Sequence, residues 1–287
     1  MRKFKEMAMQ GVFFVAALES VVSVALICIF LFVNGVPAIQ KIGFFDFMLG
    51  RNWAPMDTPA SYGIFPMILG SIYVTAGAII IGVPLGILTA IYLAKFCPKW
   101  LYKFLKPACD LLAGIPSVVY GFFGLAVLVP MTRNIFGGTG SSIFTASILL
   151  GIMILPTIIA VSESAIRAVP DSYYEGAIAL GATHERSVYT AVVPAAKSGI
   201  LAGVVLGIGR SIGETMAVVM VAGNQPRMPN GIFKGVRTLT ANIIIEMGYA
   251  ADLHREALIA TGVVLFVFIL LINFLFSVIK RRSGNVV

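Results

Sequence analysis

The run "SGILAGVVLGIGRSIGETMAVVMVA" (residues 198–222) carries Arg210 and Glu214 and no other charge. As a helix its 25 residues would extend about 37 Å at about 1.5 Å per residue, enough to cross a hydrocarbon core of about 30 Å. Arg210 falls at the midpoint, where a guanidinium costs about 2.5–3.5 kcal/mol even on the scale measured by translocon insertion. The run is a membrane helix with a reason to hold an arginine, or it is a core helix of a soluble protein. The remainder of the chain decides between them.

Of 287 residues, 59% are hydrophobic and only 12% are charged, with a mean hydropathy of +0.95, far above that of a soluble globular chain. Several other windows exceed the length of a buried core helix. The chain therefore reads as a polytopic, all-α membrane protein. Its net charge of +8 could suit a nucleic acid, but its placement argues otherwise. Thirteen basic residues fall in four groups, Arg2, Lys3 and Lys5; Lys95, Lys99, Lys103 and Lys106; Arg167, Arg186 and Lys197; and Lys280, Arg281 and Arg282. These groups alternate along the chain with loops holding Lys41, Arg51, Arg133, Arg227, Lys234, Arg237 and Arg255. That is the positive-inside pattern; it predicts both termini in the cytoplasm and no nucleic-acid partner. The first apolar stretch is too long for a cleavable signal and is followed by no A-x-A-like site, so it reads as a retained anchor. Cys28, Cys97 and Cys109 lack metal-ligand spacing and suggest no disulfide framework.

Six spans are predicted, at about 11–33, 69–94, 108–131, 143–165, 198–222 and 257–279. Segment 34–68 contains "NGVP" and "GRNWAPMDTPASYG" and reads as an external, turn-rich stretch, with Trp53, Tyr62 and Phe65 as interface anchors. Pro84, Pro116 and Pro156 lie within predicted spans, where neighbours can satisfy the freed backbone groups. Such prolines serve ordinary helix packing or a moving pathway.

Between spans four and five lies "RAVPDSYYEGAIALGATHERSVYTAVVPAAKSG" (residues 167–199). Pro170 followed by Asp171 or Ser172 as N-cap starts a short helix that ends at Gly181. Thr183 caps a second helix, with Arg186 in the capping-box position and Pro194 beyond the helix end. The expectation is a helix–turn–helix elbow on the cytoplasmic side, with His184 on its surface. The loop resembles the EAA motif of ABC-importer permeases, E-A-A-x-x-x-G followed nine residues later by I-x-L-P. Glu175, Gly176, Ala177, Gly181 and Pro194 occupy the matching positions; Gly176, Ala191 and Val193 are departures that leave the frame intact. The chain has no G-x-x-x-x-G-K-[ST] phosphate loop, so ATP and Mg are expected on a partner ATPase and no cofactor on this chain.

Arg210 and Glu214, four residues apart in a continuous helix, would share one face within salt-bridge reach. Gly199, Gly203 and Gly207 lie near that face at small-xxx-small spacing, which predicts close helix approach; Val205, Ile208, Ile212 and Val219 lie opposite. In one reading the pair is a mutual brace. In the other Arg210, with Ser211, Glu214 and Thr215 beside it, lines a wet path where a guanidinium can take an oxyanion bidentately.

"IPSVVYGFFGL", "LPTIIAVSESAIRAVPDSYYEGAIALGAT" and "GRSIGETMAVVMVAGN" together resemble the permeases of the phosphate-specific transport family, and "GETMAV" resembles its C-type subunits. The resemblance runs from about Tyr62 to the end. It implies a MetI-like type I importer permease core over 67–282 with a coupling loop at about 170–195, preceded by a helix and external segment over 1–66. It also implies a multi-pass subunit of a bacterial or archaeal inner or plasma membrane. The implied partners are a second, homologous permease forming a heterodimer, a cytoplasmic ATPase dimer, an extracytoplasmic phosphate-binding protein and the lipid bilayer. Alternatives are a permease for sulfate or molybdate and a secondary transporter using Arg210 and Glu214 as a coupling pair. A membrane enzyme or receptor lacks catalytic groups or a signalling domain; Glu163 reads as structural and His254 as a loop residue without a partner.

Overall fold

The structure, a computed structural model, describes residues 2–284, and side chains from Met9 to Leu275 together with Glu6 and Val278. The basic groups at Arg2, Lys3 and Lys5 and at Lys280, Arg281 and Arg282 have side chains outside that range. The fold is all-α apart from one two-residue strand pair. Helix α1 (Arg2–Ile42) is followed by a short α2 (Phe44–Leu49). Strands β1 (Trp53–Ala54) and β2 (Ser61–Tyr62) then pair antiparallel with Trp53 opposite Tyr62. Helix α3 (Phe65–Ile91) runs on as a π-helical turn, Tyr92–Phe96. Helix α4 (Lys99–Gly114) precedes α5 (Ser117–Phe123), which continues through a π-helical turn into α6 (Val129–Phe136). Helix α7 (Ile143–Arg167) leads to the elbow, α8 (Asp171–Ala179), α9 (His184–Ser187), a π-helical turn and α10 (Val193–Ala195). The chain closes with α11 (Lys197–Gly213), α12 (Met216–Val221), α13 (Leu239–Glu246) and α14 (Asp252–Gly284).

Among the described residues, five helical stretches are long and apolar enough to cross a membrane: Met9–Ile42, Phe65–Phe96, Ser117–Phe136, Ile143–Arg167 and Asp252–Leu275. The sixth qualifies only when the bent pair His184–Ala195 and Lys197–Gly213, 69° apart, counts as one. Three expectations are corrected. The first helix continues through "NGVP" to Ile42 instead of ending near residue 33. Tertiary packing overrides the turn formers there: a Cβ on Gly35 would lie 2.6 Å from Val263 Cγ2 and 3.1 Å from Ala260 Cα of α14, and Ala38 is fully buried. The third span begins at Ser117, not at 108, because Pro116 separates it from α4, where Pro has no N–H to extend a helix. The fifth span is not continuous over 198–222; it stops at Gly213 and resumes at Met216.

The centre of the bundle is the pair α3 and α7. Glycines at Gly77, Gly82 and Gly86 let α7 approach α3 against Ser147, Ile154 and Ile158. Pro84 and Pro156 sit inside these two uninterrupted helices, Pro156 buried and Pro84 exposed. The expected close approach of Gly199, Gly203 and Gly207 also holds, and the neighbour is α7: Cβ atoms there would meet Ala165, Ser162 with Val161, and Ile158. On the other side of α11, Ile208 and Ile212 pack with Leu265, Phe268 and Ile269 of α14. Without large side chains the glycine-lined helices gain dispersion contacts that lipid tails would otherwise supply.

A single methyl tests this packing. At Gly77 a Cβ would lie 2.3 Å from Ser147 Oγ and 2.6 Å from Ser147 Cβ. Rotating the hydroxyl relieves only the first clash, so the helices must part. Gly77→Ala is expected to destabilise the chain by about 1–3 kcal/mol, whereas Gly114→Ala, with nothing within 4 Å, leaves the thermal midpoint in place. Equal midpoints for both variants would refute this account of the α3–α7 contact.

Candidate functional site: an elbow leading into a broken span

The elbow is exposed on its outer side and anchored on its inner side. Val188, Val192, Ala196 and Ile200 join Ala90, Ile91, Ile166 and Val169 in one apolar cluster at the ends of α3 and α7. Asp171 lies at the first helical position and Pro170 at the N-cap, so the expected Asp171 or Ser172 side-chain cap is not formed. Gly181 ends α8 with φ +84°, a conformation that L side chains rarely adopt. Thr183 caps α9 as expected, its hydroxyl accepting from the Arg186 amide at 3.3 Å. Pro194 lies inside α10 rather than beyond the helix end. His184 is not a free surface residue: it is half-buried, 2.8 Å from Tyr174 Oη and with its ring edge-on to Phe96. Glu175, Gly176 and Gly181 are exposed, Ala177 is half-buried, and Leu180 stands 91% exposed at the tip.

From α10 the chain bends by 69° into α11, which ends at the residues singled out in the sequence. Arg210 is half-buried and, among the described residues, makes no hydrogen bond or ion pair. Glu214 has left the helix, with φ −68° and ψ 131°, so the expected shared face and salt bridge do not form. Its Oε1 instead accepts from the amides of Thr215 at 3.1 Å and Ala217 at 3.2 Å, capping α12. The Glu214 carbonyl accepts from Thr240 Oγ1 of α13 at 3.1 Å, so the break is held from both sides. Ser211 is buried with its Oγ unpartnered, and the Thr215 hydroxyl donates to the Gly213 carbonyl at 3.2 Å. Of the four residues expected together, the structure thus frees Arg210 and commits Glu214 to a cap. Beyond the break α12 lies tight on α5: a Cβ on Gly121 would be 2.7 Å from Met220 Sδ.

Two charged clusters bracket this span. On the elbow side Glu163, 2% exposed, accepts from Tyr102 Oη at 2.7 Å and Arg167 Nε at 2.8 Å and pairs with Lys106 Nζ at 3.1 Å. The structural reading of Glu163 holds. Burial depresses the Lys106 ammonium, but hydrogen bonds to Glu163 and Asp110 outweigh it and hold its pKa above the usual lysine value. At the opposite end of the bundle Glu246, 5% exposed, gathers Trp53, Arg237 and His254. Trp53 Nε1 donates to Oε2 at 2.8 Å, His254 Nε2 lies 2.8 Å from the same oxygen, and Arg237 Nη1 bonds Oε1. Trp53 is therefore a buried donor, not an interface anchor, and His254 has a carboxylate partner. Sequence reasoning missed this cluster because its members come from four separate elements with no spacing rule.

The family described as "Binding-protein-dependent transport system inner membrane component" matches residues 82–285. The chain is 41% identical over 270 residues to "Probable ABC transporter permease protein YqgH" of Bacillus subtilis (strain 168), covering 91% of this chain and 87% of that one. It is 35% identical over 294 residues to "Phosphate transport system permease protein PstC" of Mesorhizobium japonicum, covering 94% and 89%. Among solved structures, a bacterial ABC transporter involved in the import of the acidic polysaccharide alginate superposes with a TM-score of 0.63 at 16% identity, covering 98% of this chain and 99% of that one. The MetNI methionine ABC transporter in an inward-facing conformation gives 0.57 at 21% identity, covering 77% and 94%. These two likenesses speak to the fold alone.

Proposed function

The chain belongs to the family of binding-protein-dependent transport system inner membrane components, and from that premise we propose that it is the non-catalytic permease subunit of an ATP-driven phosphate importer. The observation that carries the mechanism is a continuous mechanical path. An exposed elbow, stiffened by its cap, its positive-φ glycine and the Tyr174–His184 contact, runs through one 69° bend into the helix that bears an unpartnered Arg210. Phosphate as the cargo is supported by the names of the relatives that align over nearly the whole chain.

A separate ATPase dimer, holding ATP and Mg, docks on Glu175, Gly176, Ala177, Gly181 and Leu180 of the elbow and moves α11 as its nucleotide sites close. The apolar cluster beneath the elbow makes that motion rigid rather than absorbed, since packed interiors transmit displacement. At the far end of α11 the guanidinium of Arg210 offers a planar, bidentate donor set for a phosphate oxyanion. Ser211 and Thr215 stand at the same break as hydroxyl partners. A second, homologous permease completes the pathway as a heterodimer, and an extracytoplasmic binding protein delivers the anion. The permease unit spans 67–282, with both termini on the elbow side of a bacterial or archaeal inner or plasma membrane.

Leu180→Asp tests the docking step. It puts a charge on a side chain that touches little in this chain, so folding is preserved while an apolar contact at the elbow tip is lost. Removing one such anchor costs about 2 kcal/mol, roughly thirtyfold in affinity. The expected result is loss of the ATPase on co-purification, with labelled phosphate uptake falling in parallel. An ATPase retained at wild-type stoichiometry would refute the elbow as its dock.

A further inference from the structure

Helix α4 meets its own protein through a mixed face, with Leu101, Tyr102, Leu105, Lys106 and Cys109 half-buried. Around its axis Trp100, Phe104, Ala108 and Leu111 with Leu101, Leu105 and Leu112 fill an apolar arc of about 140°. Tyr102 and Lys106 lie on the opposite side, and they are the residues that reach Glu163 of α7. The other edge of the apolar arc is left uncovered. Trp100 is 66% exposed, Phe104 71% and Leu111 74%, and α4 has no fully buried residue. Lys103 borders the Trp100 edge of this face, with Lys99 one step further round on the same exposed side, and among the described residues neither has an anionic partner. Helix α4 is also placed at the membrane boundary on the elbow side. It ends two residues before the span Ser117–Phe136 begins, and its clamp includes Arg167, which donates to the Leu93 carbonyl at 2.7 Å beside the elbow.

We propose that α4 is an interfacial helix that lies in the inner leaflet and selects anionic lipid, with Trp100, Phe104 and Leu111 in the acyl boundary and Lys99 and Lys103 on the headgroups. Charge complementarity identifies the occupant: two unpaired, exposed ammonium groups lie along one side of the exposed Trp100, Phe104 and Leu111 strip, the composition that suits an anionic bilayer surface. A purely neutral boundary lipid would leave those charges unused. The lipid is also coupled to the machinery. Glu163 receives α4 on one side and Arg167 on the other, so a lipid that seats α4 also seats the stem of the elbow. This inference goes beyond the transport reading and does not depend on it.

The chain has two tryptophans, Trp53 and Trp100, and Trp53 is buried at the far end of the bundle. Fluorescence of the assembled complex in phosphatidylcholine vesicles, wild type minus Trp100→Phe, isolates Trp100. Brominated phosphatidylglycerol is then compared with brominated phosphatidylcholine at the same mole fraction. The expected result is stronger quenching by the anionic lipid, reflecting an enrichment of roughly fivefold per lysine. That preference should vanish in Lys99→Gln/Lys103→Gln while Trp100 stays quenchable by both lipids. Equal quenching by the two lipids in the wild type overturns the anionic selection. Absence of quenching by either means that a protein surface, such as the partner permease, covers the face, and overturns the proposal altogether. The readout involves no transport, so it stands or falls separately from the phosphate reading.

Discussion

Arg210→Ala is expected to reduce phosphate uptake by the assembled complex about a hundredfold, and adding Glu214→Ala is expected not to restore it. The size follows from the chemistry: two charge-assisted hydrogen bonds to an oxyanion are worth together about 3 kcal/mol, and each 1.4 kcal/mol is tenfold. The failure of rescue follows from the geometry. A brace of opposite charges leaves an uncompensated Glu214 when Arg210 is removed, and the double variant would cure it. Here Glu214 already has partners of its own, the amides of Thr215 and Ala217, and Arg210 has none among the described residues. Glu214→Ala alone removes the carboxylate that accepts from the amides at the start of α12, a loss of about 1 kcal/mol, and so lowers uptake far less than the arginine variant. Arg210→Lys keeps the charge but not the planar fork, and is expected between wild type and alanine. Uptake, ATP hydrolysis and assembly are measured side by side. Recovery of uptake in Arg210→Ala/Glu214→Ala would mean that the two residues brace each other in the working transporter, and Arg210 would lose its place on the anion's path.

The difference between a continuous and a broken fifth span shows what periodicity can and cannot convey. The run 198–222 is apolar apart from Arg210 and Glu214, and its glycines at four-residue spacing make the expected close helix approach, to α7. Nothing in the run itself announces the break. It is made by contacts from elsewhere, the Thr240 hydroxyl on the Glu214 carbonyl and the tight seating of α12 on α5. The elbow's two-helix outline was legible because its signals are local, a proline, a threonine cap and a glycine at positive φ each acting on its own backbone, while the Asp171 or Ser172 cap and the place of Pro194 were not. Helix α4 was merged into a span because its apolar arc satisfies a hydropathy window as readily as a membrane helix does. Only the Pro116 boundary and the reach of Tyr102 and Lys106 to Glu163 separate the two. The Glu246 cluster was invisible for the opposite reason. Trp53, Arg237, Glu246 and His254 have no shared period, and only the folded chain brings them to one carboxylate.

That cluster yields the largest stability effect expected anywhere in the chain. Glu246 ties three pieces of the molecule together: the hairpin through Trp53, the loop before α13 through Arg237, and the start of α14 through His254. Arg237 in turn donates through Nε to the Asn224 carbonyl at 3.1 Å and through Nη1 to Asn242 Oδ1 at 3.0 Å. Removing the carboxylate leaves a largely buried guanidinium without its anion, a loss of about 3–5 kcal/mol. Trp53 also loses the acceptor of its indole N–H. Glu246→Ala should therefore lower the Tm of the purified chain by roughly 10 °C, at the few degrees per kcal/mol usual for a chain of this size. Glu246→Gln keeps an acceptor for Trp53 but not the charge, and should fall in between. Where Glu246→Ala is too unstable to purify, Arg237→Ala/Glu246→Ala supplies the test, because deleting both charges relieves the unpaired cation and costs less than the two single losses added together. The opposite outcome is equally informative. If Glu246→Ala melts with the wild type, the carboxylate does not hold this end of the bundle, and the hairpin and the 223–238 loop must be fixed by the apolar packing around Ala38, Phe47, Ile64 and Leu258 instead.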